Sequence, residues 1–344
     1  MSQTAMVSAS GLLRAVVVSG IGLTATWGGL FLWYRMPGGP VASVLAVAVW
    51  AAGAVPAIYC ATTGRWPWVA GYAVVLAGIV AWNASLVPRN DRDWAADVAR
   101  PLSATLAADH VAIHDARNFA WRTETEFTPR WEERRFRLDT LRSVDLINSY
   151  WSGPAIAHTL ISFGFADGRY LAFSVEIRRE RGETYSNLAG FFKQYEVVAV
   201  AADERDIVRL RSNVRREDVR LFRLKVTPDQ ARAGFLELLR RANAIAAEPA
   251  FYDSLRTNCT TAMFGAARTV APDLPFDWRI ILSGYLPDYA YEQGLLDRRY
   301  DLATLRERGR IADRALAADE DPDFSARIRE GVPDPNAPAT ATPR

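Results

Sequence analysis

Two cysteines and three histidines are the only side chains of their kinds in this 344-residue chain. Cys259 follows Thr257 and Asn258 and opens an apolar-periodic run through Ala262, Phe264, Ala267 and Val270, so it is expected at a helix N-terminus. There the macrodipole and unpaired N–H groups favour a thiolate, and the same groups can hold an oxyanion. A buried structural cysteine is the plain alternative. Cys60 sits inside a long apolar run and reads as a small apolar residue. With the two thiols in different environments, neither a disulfide nor a zinc spacing is expected. His110 and His114 lie four residues apart near Asp109 and Asp115, too sparse a set to assign a metal.

His158 stands on an alternating segment, His158 to Phe165, separated by Ala166-Asp167-Gly168 from a second one, Tyr170 to Arg178. This is a hairpin pattern. Odd positions hold Thr159, Ile161, Phe163 and Phe165 on one strand and Leu171, Phe173, Val175 and Ile177 on the other. Residues directly opposite share a face, so odd must pair with odd. A three-residue loop with Gly168 in the left-handed position meets this condition. Phe165 then faces Arg169, and His158 falls opposite Glu176 on the more polar face. The expected pair lets a carboxylate orient the imidazole and stabilise its charged form.

The elements that carry these residues divide the chain in two. Between Met1 and Pro88 there is no Asp or Glu, and the basic residues are Arg14, Arg35 and Arg65. Beyond the short segment 1–14, three apolar runs, at about 15–34, 41–63 and 67–87, are long enough to cross a bilayer. Trp27, Trp33, Tyr34, Trp66 and Trp68 lie toward their ends, as interfacial aromatics do. A signal peptide is shorter and is not followed by two more spans. An odd number of spans puts the N-terminus and the large domain on opposite sides. Arg14 and Arg65 against Arg35 weakly favour a cytoplasmic N-terminus and an extracytoplasmic domain.

All 39 acidic residues and all but three of the 41 basic ones lie beyond Pro88, so the soluble part is close to neutral. That balance excludes a nucleic-acid footprint. The Arg-rich run from Arg205 to Arg223 is interleaved with Asp and Glu and reads as a solvated surface more readily than as a headgroup-binding face. Further strands are expected at Tyr195 to Val200 and Val219 to Val226. A helix is expected from a Thr227-Pro228-Asp229-Gln230 capping box to about Ala247. The soluble domain spans 89–316, followed by a polar, partly disordered tail at 317–344.

In these residues the chain resembles the periplasmic domain at the N-terminus of the bacterial lipoprotein N-acyltransferase Lnb. The carrying segments include Val111-Ala-Ile-His-Asp-Ala-Arg-Asn-Phe119, Ala157-His-Thr-Leu-Ile-Ser-Phe163, Phe173-Ser-Val-Glu-Ile-Arg178, Gly182-Glu-Thr-Tyr-Ser186, Arg256-Thr-Asn-Cys-Thr260 and Pro287-Asp-Tyr-Ala-Tyr291. That family resembles circularly permuted papain-like (NlpC-type) enzymes, in which a strand histidine precedes a nucleophilic cysteine at a helix N-terminus. His158 and Cys259 match that order. The resemblance implies an α+β fold with an antiparallel sheet and packed helices. The three transmembrane helices ahead of it, read from the apolar runs, depart from the family's pattern, so the same substrate does not follow.

Taken with the three spans, the resemblance implies a multi-pass protein of the bacterial inner membrane that acts without cofactor on acyl esters of lipoproteins or phospholipids. Cys259 would be the nucleophile and His158 the base, with Glu176 orienting the ring by the register argument. Asn258, Ser174 and Tyr195 are the candidates for contacting substrate, and Ser174 or Tyr195 also compete for the orienting role. The expected partners are membrane lipids and lipoproteins. The same dyad would serve a membrane-tethered peptidase or amidase acting on cell-wall peptide. A binding domain that keeps the fold without catalysis would leave the phenotype of Cys259→Ala intact.

Overall fold

The computed structural model describes residues 9–186, 188–254 and 258–337. The tail beyond 337, the first eight residues and Thr257, one expected cap, lie outside the described residues. The chain divides into two compact units, 1–88 with 185–194, and 89–184 with 195–344. The expectation of one continuous soluble domain from residue 89 therefore needs amendment: ten residues of it pack with the N-terminal helices.

In the first unit three helices, α1 (Ala9–Arg35), α2 (Gly39–Thr63) and α3 (Trp66–Ser85), occupy the three apolar runs. Each is long and apolar enough to cross a membrane. They pack through aromatic and small residues. Trp50 stacks on Tyr72 at 4.9 Å between centroids and donates through Nε1 to the Ala25 carbonyl at 2.8 Å. Gly28 is required there, because a Cβ would stand 2.9 Å from the Trp50 ring. Large apolar side chains point outward instead, among them Leu23, Val41 and Val74, each over 70% exposed. That outward apolar surface is what a lipid-facing helix presents.

In the second unit, β1 (Ser103–Leu106), β2 (His110–Arg117), β5 (Trp131–Arg137), β6 (Leu141–Ser152), β7 (Ile156–Phe165), β8 (Tyr170–Arg178), β9 (Glu196–Ala202) and β10 (Asp218–Arg223) form one sheet, while β3 (Ala120–Trp121) and β4 (Phe127–Thr128) make a small hairpin. The order is β1-β2-β9-β8-β7-β6-β10, with β5 on β2. All pairings are antiparallel except the short β2–β9 contact. The β7–β8 hairpin has the expected register, with Phe163 opposite Leu171 and the Phe165 amide donating to the Arg169 carbonyl at 3.0 Å. Gly168 takes φ +82° in the turn, where a side chain would be strained.

Helices cover both faces. Over the odd face lie α5 (Pro228–Ala247) and α6 (Cys259–Val270), where Phe235 meets Phe163, Phe165 and Phe173 in edge-to-face contacts. The α5 cap is the expected one, with Gln230 N donating to Thr227 Oγ1 and Thr227 N to Gln230 Oε1. The even face, expected to be polar, is covered as well. Leu160 and Ala172 pack there against Ile207 and Val208 of α4 (Glu204–Arg209), Ile311, Ala315 of α9 (Ala312–Ala317), Phe324 of α10 (Phe324–Arg327) and Ile328. The remaining helices, α7 (Leu286–Glu292) and α8 (Leu302–Gly309), flank β6 and β10.

The first part of the segment expected as a polar, partly disordered tail, 317–329, packs against the sheet. Phe324 and Ile328 are fully buried. Arg329 reaches Asp145 at 2.7 Å and Glu204 at 2.6 Å and lies 3.6 Å over the Tyr170 ring. Composition misled here because a few apolar residues and one buried ion-pair network anchor a mostly polar segment. A buried arginine between two carboxylates is strongly destabilising to break, which fixes the segment in place.

Candidate active site

Hairpin β7–β8 opens at the end that matters. Its ladder stops at Ile161 opposite Phe173, although β7 continues back to Ile156 and β8 on to Arg178. On the other side β7 stays paired to β6, with Ser149 opposite His158 and Asn148 opposite Thr159. The Thr159 amide, freed from β8, donates to the sulfur of Cys259. The N-terminus of α6 is thus held at the split in the sheet. Thr159 Oγ1 also meets Thr260 Oγ1 at 3.3 Å.

Asn258 fixes that N-terminus. Its Oδ1 accepts from Thr261 N at 2.9 Å and its own N donates to Thr261 Oγ1 at 3.0 Å, a reciprocal capping box. Its Nδ2 donates to the Ser254 carbonyl at 2.8 Å. Every polar group of the Asn258 side chain is thereby engaged in holding the loop and the helix start. Capping consumes the Thr261 amide and leaves those of Cys259 and Thr260, in the first turn, pointing along the helix axis.

The imidazole of His158 faces Cys259 on one side and β8 on the other. Nε2 lies 2.7 Å from Ser174 Oγ and 3.1 Å from Glu176 Oε1, while the ring also hydrogen-bonds the Cys259 thiol. With Nε2 turned to β8, Nδ1 is the nitrogen left for sulfur. Ser174 Oγ donates to Glu176 Oε1 at 2.7 Å and so links ring and carboxylate. His158, Ser174 and Cys259 are all buried.

The electrostatics follow from this packing. Burial and the Arg211 guanidinium oppose a charge on His158. Glu176 and the Cys259 sulfur outweigh them, and the ring's pKa is pushed up to about 9. Burial alone would raise the Cys259 thiol; the imidazolium, its hydrogen bond and the Thr159 amide bring it down instead. Burial likewise opposes ionisation of Glu176, yet His158, Arg211 and Ser174 hold its carboxyl well below the usual range. The packing thus pushes the pair toward a thiolate beside an imidazolium, with a carboxylate behind it.

Arg211 is the member that sequence reasoning missed. It sits in a π turn, Leu210–Val214, that continues α4, and its side chain is 8% exposed. Nη2 donates to Glu176 Oε1 at 3.3 Å and Nη1 to Glu217 Oε2 at 3.4 Å. Ser149, across from His158, donates to the same Glu217 oxygen. Instead of a solvated arginine face, the stretch around Arg211 is interior. The available signal was the apolar set Ile207, Val208, Leu210 and Val214, which marks a buried segment. A cleft of ≈ 570 Å³ opens beside Glu217, walled by Trp151, Tyr285, Arg215, Arg216 and Arg220 among others.

Tyr195 is placed elsewhere. It is fully buried, and its hydroxyl donates to the Thr184 carbonyl at 2.7 Å, so it braces the chain around β9. His110 and His114 lie on β2, where a separation of four residues is roughly 13 Å. His110 bonds Asp109 at 2.7 Å and His114 bonds Thr105 at 3.0 Å. Among the described residues no cluster of His, Cys, Asp or Glu is arranged to hold a metal.

A strand histidine, a carboxylate two strand positions from a linking serine, and a cysteine at a capped helix N-terminus all fall within one stretch of the chain. Residues 127–284 match the Lnb N-terminal periplasmic domain. This is the family expected from the sequence, and the matched stretch contains His158, Ser174, Glu176, Arg211 and Cys259. No curated protein and no solved structure matches the chain. Three helices long and apolar enough to cross a membrane precede the matched stretch, the arrangement of a membrane protein with a domain outside the bilayer.

If Glu176 orients and charges His158, Glu176→Gln will weaken both tasks while keeping the shape. Loss of a carboxylate from such a pair costs on the order of 10²–10⁴ in turnover. The accompanying sign is a fall in the pH at which the His158 ring loses its proton, measured by ring-proton NMR or by the pH dependence of thiol alkylation. An unchanged ring titration would remove Glu176 from the site.

Proposed function

We propose that the chain is a membrane-anchored, extracytoplasmic, cysteine-dependent acyltransferase or hydrolase that works through a thioester on acyl esters of lipoproteins or phospholipids. The observation that carries this reading is the contact of the buried Cys259 thiol with a His158 ring that Ser174 and Glu176 hold from behind. The order of parts, histidine strand before cysteine helix, is that of a permuted papain-like enzyme, and three apolar helices would keep the domain at the surface where acyl lipids lie. On this reading the protein spans the bacterial inner membrane three times.

The thiolate of Cys259 attacks the ester carbon, forming a C–S bond and moving the carbonyl electrons onto oxygen. The Cys259 and Thr260 amides at the start of α6 would hold that oxyanion. Collapse breaks the C–O bond, and His158 passes its proton to the departing alkoxide. A thioester remains. In the second half an amine or water attacks the thioester carbon, gives its proton to His158, and releases Cys259 as thiolate. Arg211 keeps Glu176 charged throughout.

The test is incubation of the full-length protein in lipid nanodiscs with a synthetic peptide bearing an S-diacylglyceryl cysteine and a free N-terminus. Transfer predicts an N-acyl peptide and a lyso product in equal amounts, detected by mass spectrometry. Release of stem peptides from purified cell wall, with the lipopeptide untouched, would favour the peptidase instead.

A further inference from the structure

The connection between β8 and β9 contains residues 185–194, which belong to the helical unit and not to the sheet. Phe192 is buried among the three helices and stacks on Tyr34 at 5.6 Å between centroids. Tyr34 also exchanges a hydrogen bond with Ser186 at 3.1 Å, and Arg35 Nη1 donates to the Lys193 carbonyl at 3.0 Å. Lys193 Nζ in turn donates to the Asn83 carbonyl at 2.8 Å. Tyr34 and Arg35 end α1, and Asn83 is in the last turn of α3. Three helices joined by Met36–Gly38 and Gly64–Arg65 run alternately up and down, so these two ends lie at the same end of the bundle, the one from which the chain leaves toward Arg89.

Two large apolar side chains of this segment face outward beside the buried Phe192: Leu188, 53% exposed, and Phe191, 47% exposed. Trp33, 48% exposed, lies near the same end of α1. Aromatics and a snorkelling cation at the end of a span are the composition of a membrane interface. Water gives Leu188 and Phe191 nothing, whereas the headgroup–acyl boundary accepts both.

We propose that residues 185–194 form a bilayer-inserted loop, with Leu188 and Phe191 seated in the lipid interface and Phe192 locking the loop to the spans. The proposal rests on the reading of α1–α3 as membrane-spanning. Its partner is the lipid surface itself, because the loop continues the outward apolar surface of helices that already require lipid. The strand that enters the loop is β8, which carries Ser174 and Glu176, so lipid contact is one short connection away in sequence from the proposed catalytic carboxylate.

The experiment places a nitroxide at Leu188→Cys and Phe191→Cys, singly, in full-length protein in phospholipid nanodiscs, with Cys60→Ala and Cys259→Ala to remove the native thiols. Collision with oxygen and with a water-soluble nickel chelate is compared with Leu23→Cys in the middle of α1 and Arg135→Cys on the sheet surface. The expected ratio of oxygen to nickel collision at 188 and 191 is several-fold above that at 135 and approaches that at 23. An aqueous ratio at 188 and 191, with a lipid ratio at 23, overturns the loop and leaves the spans standing. An aqueous ratio at 23 as well overturns both. Low collision with either reagent means that protein covers the loop, a second copy included, and also overturns the proposal. A photoreactive benzoylphenylalanine at 191 in the otherwise native chain gives the same answer without cysteine replacement: cross-links to lipid support insertion, and cross-links only to protein contradict it.

Discussion

Cys259→Ser is expected to abolish acyl transfer, with a loss of 10³-fold or more, on the order of the effects seen when a nucleophile is removed from a unit that acts together. The substitution changes little else. Serine keeps the size of the side chain and can still meet Thr159, Thr260 and His158, so folding should persist. What it removes is the acidity. A hydroxyl is far harder to ionise than a thiol, and the imidazolium that stabilises a thiolate does not bring an alkoxide within reach of neutral pH. Initial rates of N-acyl product formed from the diacylglyceryl peptide measure the effect, with circular dichroism as the control for folding. Activity within tenfold of wild type would show that Cys259 is not the nucleophile.

The second large effect belongs to His158→Ala and is read most cleanly by alkylation of Cys259 as a function of pH. In the wild type the His158 ring, which titrates at about 9, lowers the Cys259 thiol and so favours its thiolate. The alkylation rate should therefore climb less steeply between pH 7 and 8 than in a protein whose thiol lacks the ring. Removing the imidazole removes the largest influence opposing burial, and the thiol rises above its ordinary value. The variant's rate should then climb about tenfold per pH unit, as it does for any thiol well below its pKa, starting at least about tenfold lower at pH 7. The sign is fixed by the pair: a cation at His158 favours the anion at Cys259, and its loss favours the neutral thiol. Equal slopes in the two proteins would mean that the thiol does not depend on the ring. Cys60, buried in α2, must be replaced by Ala in both proteins so that one thiol is followed.

Much of this arrangement is legible in the residues, and the reasons are local. The three apolar helices stand out because the first 88 residues contain no acid and runs of about twenty apolar residues have few other uses. The β7–β8 register follows from parity, since a slip of one residue would turn Phe163 and Phe173 away from Phe235. The α5 cap is written in Thr227, Pro228 and Gln230.

Other parts depend on contacts distant in sequence. Nothing in the alternation of β7 and β8 announces that the ladder stops at Ile161, yet that opening is what gives Cys259 the Thr159 amide. The even face seemed polar because Ser162, Ser174 and Glu176 lie on it. Each finds a partner over 30 residues away, or through one: Ser162 donates to Glu204 at 2.5 Å, and Glu176 takes Arg211. Arg329, which ties the C-terminal segment down, is one arginine among many until Asp145 and Glu204 are seen around it. The loop at 185–194 reads as an ordinary connection until Phe192 is found among the three apolar helices.

The central claim is that Cys259 is an activated nucleophile that carries an acyl group. It is tested most directly by trapping that group. Full-length protein in nanodiscs, incubated without acceptor with an isotopically labelled phospholipid or diacylglyceryl peptide, is quenched in acid and digested, and the peptide containing Cys259 is examined by mass spectrometry. The account predicts a labelled acyl thioester on Cys259 that hydroxylamine removes at neutral pH and that is absent in the Cys259→Ser and His158→Ala proteins. An unmodified Cys259 under conditions where acyl product nonetheless accumulates would contradict it.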